Sequence, residues 1–160
     1  MKLNTSTSRV LQGITAFLKP PAGSPARVLV VDDEDSIRQL ISRVLREAGY
    51  IVETAASGSE GLEAIDRSAT FDLIVSDVRM PGMSGPEFVA QLRRHEADAK
   101  VLYLTGYADQ LFAERAALWR GEAFLDKPCT PQGLIESVAL LLTGHIAPPR
   151  PRRFLGGRRH

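Results

Sequence analysis

The segment FDLIVSDVRMPGMSG, residues 71–85, begins as an apolar run and changes at Asp77 into a loop of Pro, Gly and Met. A short apolar run bounded by turn residues is typical of a buried strand, here residues 73–77. A carboxylate at the tip of such a strand is costly to bury unless a cation meets it. Asp77 therefore needs either a structural ion-pair partner or a chemical role.

The same alternation of apolar runs with polar loops and amphipathic stretches recurs through the body of the chain, residues 26–143. The other predicted strands are residues 28–31, 51–55, 100–105 and 123–127, and the predicted helices are residues 35–49, 57–68, 84–94, 110–119 and 131–142. Cap residues mark three helix starts: Ser57 with Glu60 and Ser84 with Glu87 at capping-box spacing, and Thr130 before Pro131. This alternation predicts one doubly wound α/β domain, a five-stranded parallel sheet covered by five helices.

Residues whose side chains could bind a ligand or take part in a reaction lie where the predicted strands end. They are Asp32, Asp33 and Glu34 after the first strand, Asp77 after the third, Thr105 after the fourth, and Lys127 with Pro128 after the fifth. In such sheets ligands bind beyond the carboxyl ends of the strands. Clustered carboxylates stay ionised only with a cation among them, and hard oxygen ligands suit Mg²⁺. The sequence therefore predicts a magnesium site, with a lysine as a second, fixed positive charge.

Four segments, VLVVDDEDSIR, FDLIVSDVRMPGMSGPEF, VLYLTGYAD and FLDKP, together resemble the receiver domain of two-component response regulators. The resemblance covers about residues 26–143 and implies a flavodoxin-like sheet with strand order 2-1-3-4-5. It implies that Asp77 accepts a phosphoryl group from a phosphohistidine of a sensor histidine kinase or histidine phosphotransfer protein. Such a domain is a signalling switch and not an enzyme, apart from slow self-dephosphorylation.

The resemblance also implies the magnesium ligands. Asp33, Asp77 and the backbone carbonyl of Arg79 would hold Mg²⁺, and Asp32 would act partly through water. The alternative for Asp32 and Asp33 is an acidic helix N-terminus that the helix dipole favours.

The same resemblance implies which residues would contact a phosphoryl group on Asp77 and respond to it. Lys127 would pair with Asp77 and then with the phosphate, and its peptide bond to Pro128 would be cis. Thr105 would hydrogen-bond a phosphate oxygen, and Phe124 would then turn inward as the switch residue. The alternatives remain open. Asp77 and Lys127 could form a purely structural ion pair, Thr105 could simply end a strand, and Phe124 could be an ordinary core residue.

Two large side chains, Arg79 and Tyr107, stand at positions that flank the route of attacking water in this family. We expect the phosphorylated state to hydrolyse slowly for this reason.

The two ends of the chain differ from the body in charge. Residues 26–143 carry 12 Lys/Arg and all 19 Asp/Glu, a net charge of −7, whereas the ends carry the other eight basic residues and no acid. Residues 1–25 contain a possible short amphipathic helix at 8–19, or a poorly ordered leader, followed by a Pro-rich linker. Residues 144–160 form a Pro/Arg-rich tail that we expect to be disordered.

The 18 residues after Leu142 are too few for an output domain, which predicts a stand-alone receiver. It would act by protein–protein interaction or in a phosphorelay. A homodimer through the face of the fourth predicted helix, the fifth strand and the fifth predicted helix is a further expectation.

Composition excludes several other classes of protein, and a few alternative functions remain to be weighed. One Cys and three His exclude a disulfide framework and a Cys/His zinc site, and no segment reaches the roughly 18 apolar residues of a membrane span, so we expect a soluble cytoplasmic protein. An interaction module that never carries phosphate is one alternative, and weak nonspecific nucleic-acid contact through the tail arginines is another. Haloacid dehalogenase-like phosphatases carry an acid two residues after their nucleophile, where this chain has Arg79.

Overall fold

The computed structural model describes residues 23–67, 70–106, 118 and 120–144. Within these ranges five strands and four helices follow one another: β1 (Arg27–Val31), α1 (Asp35–Glu47), β2 (Ile51–Ala55), α2 (Gly58–Arg67), β3 (Leu73–Asp77), α3 (Gly85–Leu92), β4 (Val101–Thr105), β5 (Glu122–Asp126) and α4 (Pro131–Thr143).

The five strands form one parallel sheet in the order β2-β1-β3-β4-β5, as predicted. The register pairs Val31 with Ser76, Asp77 with Leu104, and Thr105 with Asp126. Four strands therefore end at nearly the same level, which brings the residues that follow them to one edge. The fold is the flavodoxin-like α/β arrangement.

The sheet is buried between two apolar layers because alternate strand residues point to opposite faces. Val28 and Val30 of β1 belong to the layer shared with α1 and α4, and Leu29 and Val31 belong to the layer shared with α2 and α3. Coverage on both faces explains why β1, β3 and β4 are apolar almost without interruption. The edge strand β5 is more exposed than the sequence pattern predicts.

The described residues contain four helices, not the five that the pattern predicts. The missing one, at residues 110–119, falls outside the described residues except for Leu118. The predicted leader helix at 8–19 and the Arg-rich tail also lie outside them, apart from Gly144. No helix in the described ranges has the length and apolar character needed to cross a membrane.

The ends of two helices can be compared with the sequence prediction. Helix α1 ends at Glu47, and the following Gly49 has φ +97°, a left-handed conformation that suits glycine. Helix α3 ends at Leu92, two residues before the predicted end.

Two of the three predicted caps form in full. Ser84 and Glu87 make both bonds of a capping box, and Thr130 Oγ1 accepts from the N–H of Gly133. At α2 the Ser57 hydroxyl accepts from the Glu60 N–H, but the Glu60 carboxylate accepts from the N–H of Ala56, one residue before the usual partner.

A buried ion pair joins the end of α3 to the start of β5. Arg93 Nη2 lies 3.0 Å from Glu122 Oε1, with side-chain exposures of 7% and 0%, and Arg93 Nη1 donates to the carbonyl of Ala97. Glu122→Gln would remove the charge of Glu122 from beside the buried guanidinium. We expect a loss of about 3–5 kcal/mol in the free energy of unfolding, measured by urea denaturation.

The matched control is Glu47→Gln, which breaks the exposed pair of Glu47 with Arg43 on α1. That change is expected to cost at most about 0.5 kcal/mol. Equal losses for the two variants would contradict a special role for the buried pair.

Candidate functional site

Three carboxylates meet at the carboxyl edge of the sheet. Asp32, Asp33 and Asp77 each place one carboxylate oxygen within 4.8 Å of the others'. Asp32 is buried, Asp77 is partly buried and Asp33 is exposed, so the cluster opens to solvent on one side. Because these are hard oxygen donors with access to water, the donor set fits a divalent cation such as Mg²⁺.

Lys127 adds a fixed positive charge to the cluster. Its Nζ lies 2.8 Å from Asp32 Oδ2 and 3.5 Å from Asp77 Oδ2. Its backbone N–H donates to the carbonyl of Thr105, and its peptide bond to Pro128 is cis. The lysine therefore pairs more closely with Asp32 than with Asp77, the partner that the sequence suggested.

Burial is the largest influence on the Asp77 carboxyl and raises its pKa. The charge of Lys127 lowers it, the neighbouring charge of Asp32 raises it, and the N–H of Val78, donating to Asp77 Oδ1 at 2.8 Å, lowers it. The net result is a pKa above the ordinary value. One lysine thus does not fully offset the burial of this carboxylate, and a further cation at the site would be favourable.

The pKa of the Lys127 ammonium is raised as well, but here the neighbouring acids cause the rise and burial opposes it. Burial lowers its pKa, but the hydrogen bond and charge of Asp32, together with Asp77, outweigh burial and leave the pKa above its ordinary value. Lys127 is therefore charged at neutral pH and available to an anionic group.

The loop after β3 returns close to the end of that strand. The Gly85 N–H donates to the carbonyl of Val78 at 2.9 Å. A Cβ at residue 85 would overlap the carbonyl oxygen of Asp77. Gly85 thus allows the first turn of α3 to lie against the backbone of Asp77.

Sequence reasoning did not identify Gly85, although the residue closes the segment on which the fold was predicted. Its only sequence signal is a glycine directly after the helix cap Ser84. Pattern alone does not reveal which backbone atom such a glycine meets.

The remaining predicted residues lie around this cluster. Thr105 is fully buried at the end of β4, Arg79 is exposed in the loop after β3, and Phe124 on β5 is 36% exposed. Tyr107 lies outside the described residues. The structure thus brings together three acids and one lysine, with Thr105 linked to Lys127 through the backbone.

The chain has relatives among known proteins. Residues 28–139 match the family model for the response regulator receiver domain. The chain is 39% identical over 118 residues to the sensor kinase CckA of Brucella abortus (strain 2308), covering 73% of this chain and 12% of the kinase. It is 30% identical over 124 residues to the chemotaxis protein CheY of Treponema pallidum (strain Nichols), covering 76% of this chain and 86% of that protein.

A solved structure is similar as well. The response regulator protein TrrA from Thermotoga maritima, in complex with Mg(2+)-BeF, has a TM-score of 0.65 and 37% identity, covering 73% of this chain and 99% of that one. The chain spans only 12% to 26% of the first curated relatives that it matches. Because the family match extends over most of the chain, the protein belongs to the response regulator receiver domain family.

Proposed function

We propose that this protein is a phosphorylation-dependent signalling switch that accepts a phosphoryl group on Asp77. The donor is a phosphohistidine of a sensor histidine kinase or a histidine phosphotransfer protein. The observation that carries this proposal is the meeting of Asp77 with Lys127 and two further acids at one edge of the sheet.

The transfer forms a bond between an Asp77 carboxylate oxygen and phosphorus and breaks the bond between phosphorus and the donor imidazole nitrogen, which leaves with the electron pair. Negative charge spreads over the phosphoryl oxygens in the transition state, so positioning and cationic groups serve this step better than acid–base groups. Strand β3 fixes Asp77, and the Lys127 ammonium lies within reach of the incoming oxygens.

Asp33, Asp77 and the backbone carbonyl of Arg79 would hold Mg²⁺, with Asp32 acting partly through water. When bound, the ion offsets negative charge on the transferring group. The similarity to TrrA, whose structure contains Mg(2+)-BeF, supports this assignment.

Phosphate on Asp77 draws the Thr105 hydroxyl toward it and allows Phe124 to turn inward. Thr105 is well placed for this because it is buried at the end of β4 and its carbonyl accepts from the N–H of Lys127. The movement changes the face that contains β5 and α4, which the sequence predicts to include a further helix at residues 110–119, and a partner protein or a second copy binds there.

The proposal predicts uptake of one phosphoryl group that requires Mg²⁺. Full-length protein incubated with a small acyl-phosphate donor and Mg²⁺ is expected to gain about 80 Da by intact mass. A chelator is expected to abolish the gain, because the acids then lack the cation that offsets the transferred charge. No added mass in the presence of Mg²⁺ would refute the proposed function.

The acyl phosphate is expected to decay slowly, because Arg79 and Tyr107, both large residues, stand at the sequence positions that flank the route of attacking water in this family. The decay is followed by intact mass after removal of the donor. A half-life of seconds in the purified protein would contradict this expectation.

An interaction module that never carries phosphate is not favoured, because such a module has no need for a complete set of acids, hydroxyl and lysine at these strand ends.

A further inference from the structure

We infer that Arg38 is a positioning residue for the acidic turn between β1 and α1, and that it sets the affinity of the site for Mg²⁺. This inference rests on the proposed function. Arg38 lies one turn into α1, and its side chain is only 16% exposed.

The guanidinium makes two contacts with the turn. Arg38 Nη1 donates to the backbone carbonyl of Asp32 at 2.7 Å, and Nη2 lies 2.6 Å from Asp35 Oδ1. One planar group thus joins the last residue before the turn to the first residue of the helix. The turn between them contains Asp33 and Glu34.

Asp32 is held at four points, and Arg38 supplies one of them. The backbone N–H of Asp32 donates to the carbonyl of Ala55, its Oδ1 accepts from the N–H of Glu34, and its Oδ2 pairs with Lys127. The fourth point is its carbonyl oxygen, which Arg38 holds.

That carbonyl belongs to the peptide unit that joins Asp32 to Asp33. Orienting the unit therefore sets the direction from which the exposed Asp33 side chain leaves the backbone. Arg38 thus acts on Asp33, a proposed metal ligand, without touching the metal.

Charge and shape both favour arginine at this position. Four acids follow one another at residues 32–35, and a guanidinium beside them lessens their mutual repulsion. The planar guanidinium of arginine can donate to a carbonyl and to a carboxylate at once through separate N–H groups. A lysine side chain ends in a single ammonium nitrogen, which cannot reproduce this geometry. Groups that orient metal ligands typically change metal affinity by about 10- to 100-fold when removed.

The test compares Arg38→Gln and Arg38→Lys with wild type in the full chain. The matched control is Arg43→Gln, which removes the same charge from an exposed position on the same helix. Mg²⁺ binding is measured by isothermal titration calorimetry at constant ionic strength, and circular dichroism checks that each variant is folded.

We expect Arg38→Gln to weaken Mg²⁺ binding by about tenfold or more, and Arg43→Gln to change it by less than about twofold. Arg38→Lys should not restore wild-type Mg²⁺ affinity, because lysine lacks the planar guanidinium that contacts both the Asp32 carbonyl and Asp35. In phosphoryl uptake from the acyl-phosphate donor, Arg38→Gln should raise the Mg²⁺ concentration that gives half the maximal rate, and the rate at saturating Mg²⁺ should stay close to wild type.

Two results would overturn the inference while leaving the proposed function in place. One is unchanged Mg²⁺ affinity in Arg38→Gln. The other is full restoration by Arg38→Lys, which would show that charge alone matters. If wild type itself neither bound Mg²⁺ nor took up phosphate, the proposed function would fail first and the role of Arg38 with it.

Discussion

Asp77→Asn is expected to abolish phosphoryl uptake, so that no species heavier by about 80 Da forms with an acyl-phosphate donor and Mg²⁺. Asparagine keeps the shape of the side chain but lacks the carboxylate oxygen that attacks phosphorus. Asp98→Asn makes the same chemical change at an exposed position and should leave uptake unchanged. Added mass that persists in Asp77→Asn would place the acceptor elsewhere.

The same variant is expected to be more stable than wild type without Mg²⁺. The folded-state pKa of Asp77 is raised, mainly by burial, so the folded protein binds this proton more tightly than the unfolded chain does. Stability is therefore lost as pH rises from the unfolded pKa of about 3.9 through the raised folded pKa, and Asp77→Asn lacks that loss.

The stability difference has a defined pH dependence. In chelator, the free energy of unfolding of Asp77→Asn should exceed that of wild type at neutral pH and approach it below the unfolded pKa. Chemical denaturation over this range measures both. A variant less stable than wild type at neutral pH would show that the ion pair with Lys127 outweighs burial.

Gly85→Ala is expected to lower both the stability of the fold and the rate of phosphoryl uptake. In a helix, alanine is ordinarily favoured over glycine by about 1 kcal/mol. Here the new methyl group would overlap the carbonyl oxygen of Asp77, a backbone atom that cannot rotate away. Overpacking of this kind costs about 1–3 kcal/mol, so we expect net destabilisation by urea denaturation.

Gly58→Ala is the matched control, because Gly58 is the first residue of α2 just as Gly85 is the first residue of α3. Its added Cβ would meet the side chain of Met83, which is flexible and can move. We expect a change within about 1 kcal/mol and normal phosphoryl uptake. A destabilisation by Gly58→Ala as large as that by Gly85→Ala would contradict the role of the Asp77 carbonyl.

The strands were predictable because their signal is local. β2 and β3 have the predicted bounds, β1 and β4 each differ by one residue at their first residue, and β5 begins and ends one residue earlier than predicted. An apolar run ending in an acid marks both the strand and its tip, and parallel connection brings the tips together. The exposure of β5 was harder to predict than its place at the edge of the sheet, since the exposure of an edge strand depends on what covers it.

The sequence by itself determined the α/β architecture and the residues that gather at the carboxyl edge, since periodicity, caps and strand ends are properties of neighbouring residues. Only the tertiary structure decided that Lys127 lies closer to Asp32 than to Asp77, that Arg93 and Glu122 share a buried contact, and that Arg38 holds the Asp32 carbonyl. It also decided that Gly85 leaves room for the Asp77 backbone. Most of these contacts join separate elements, and all of them depend on interatomic distances that residue spacing along the chain does not set.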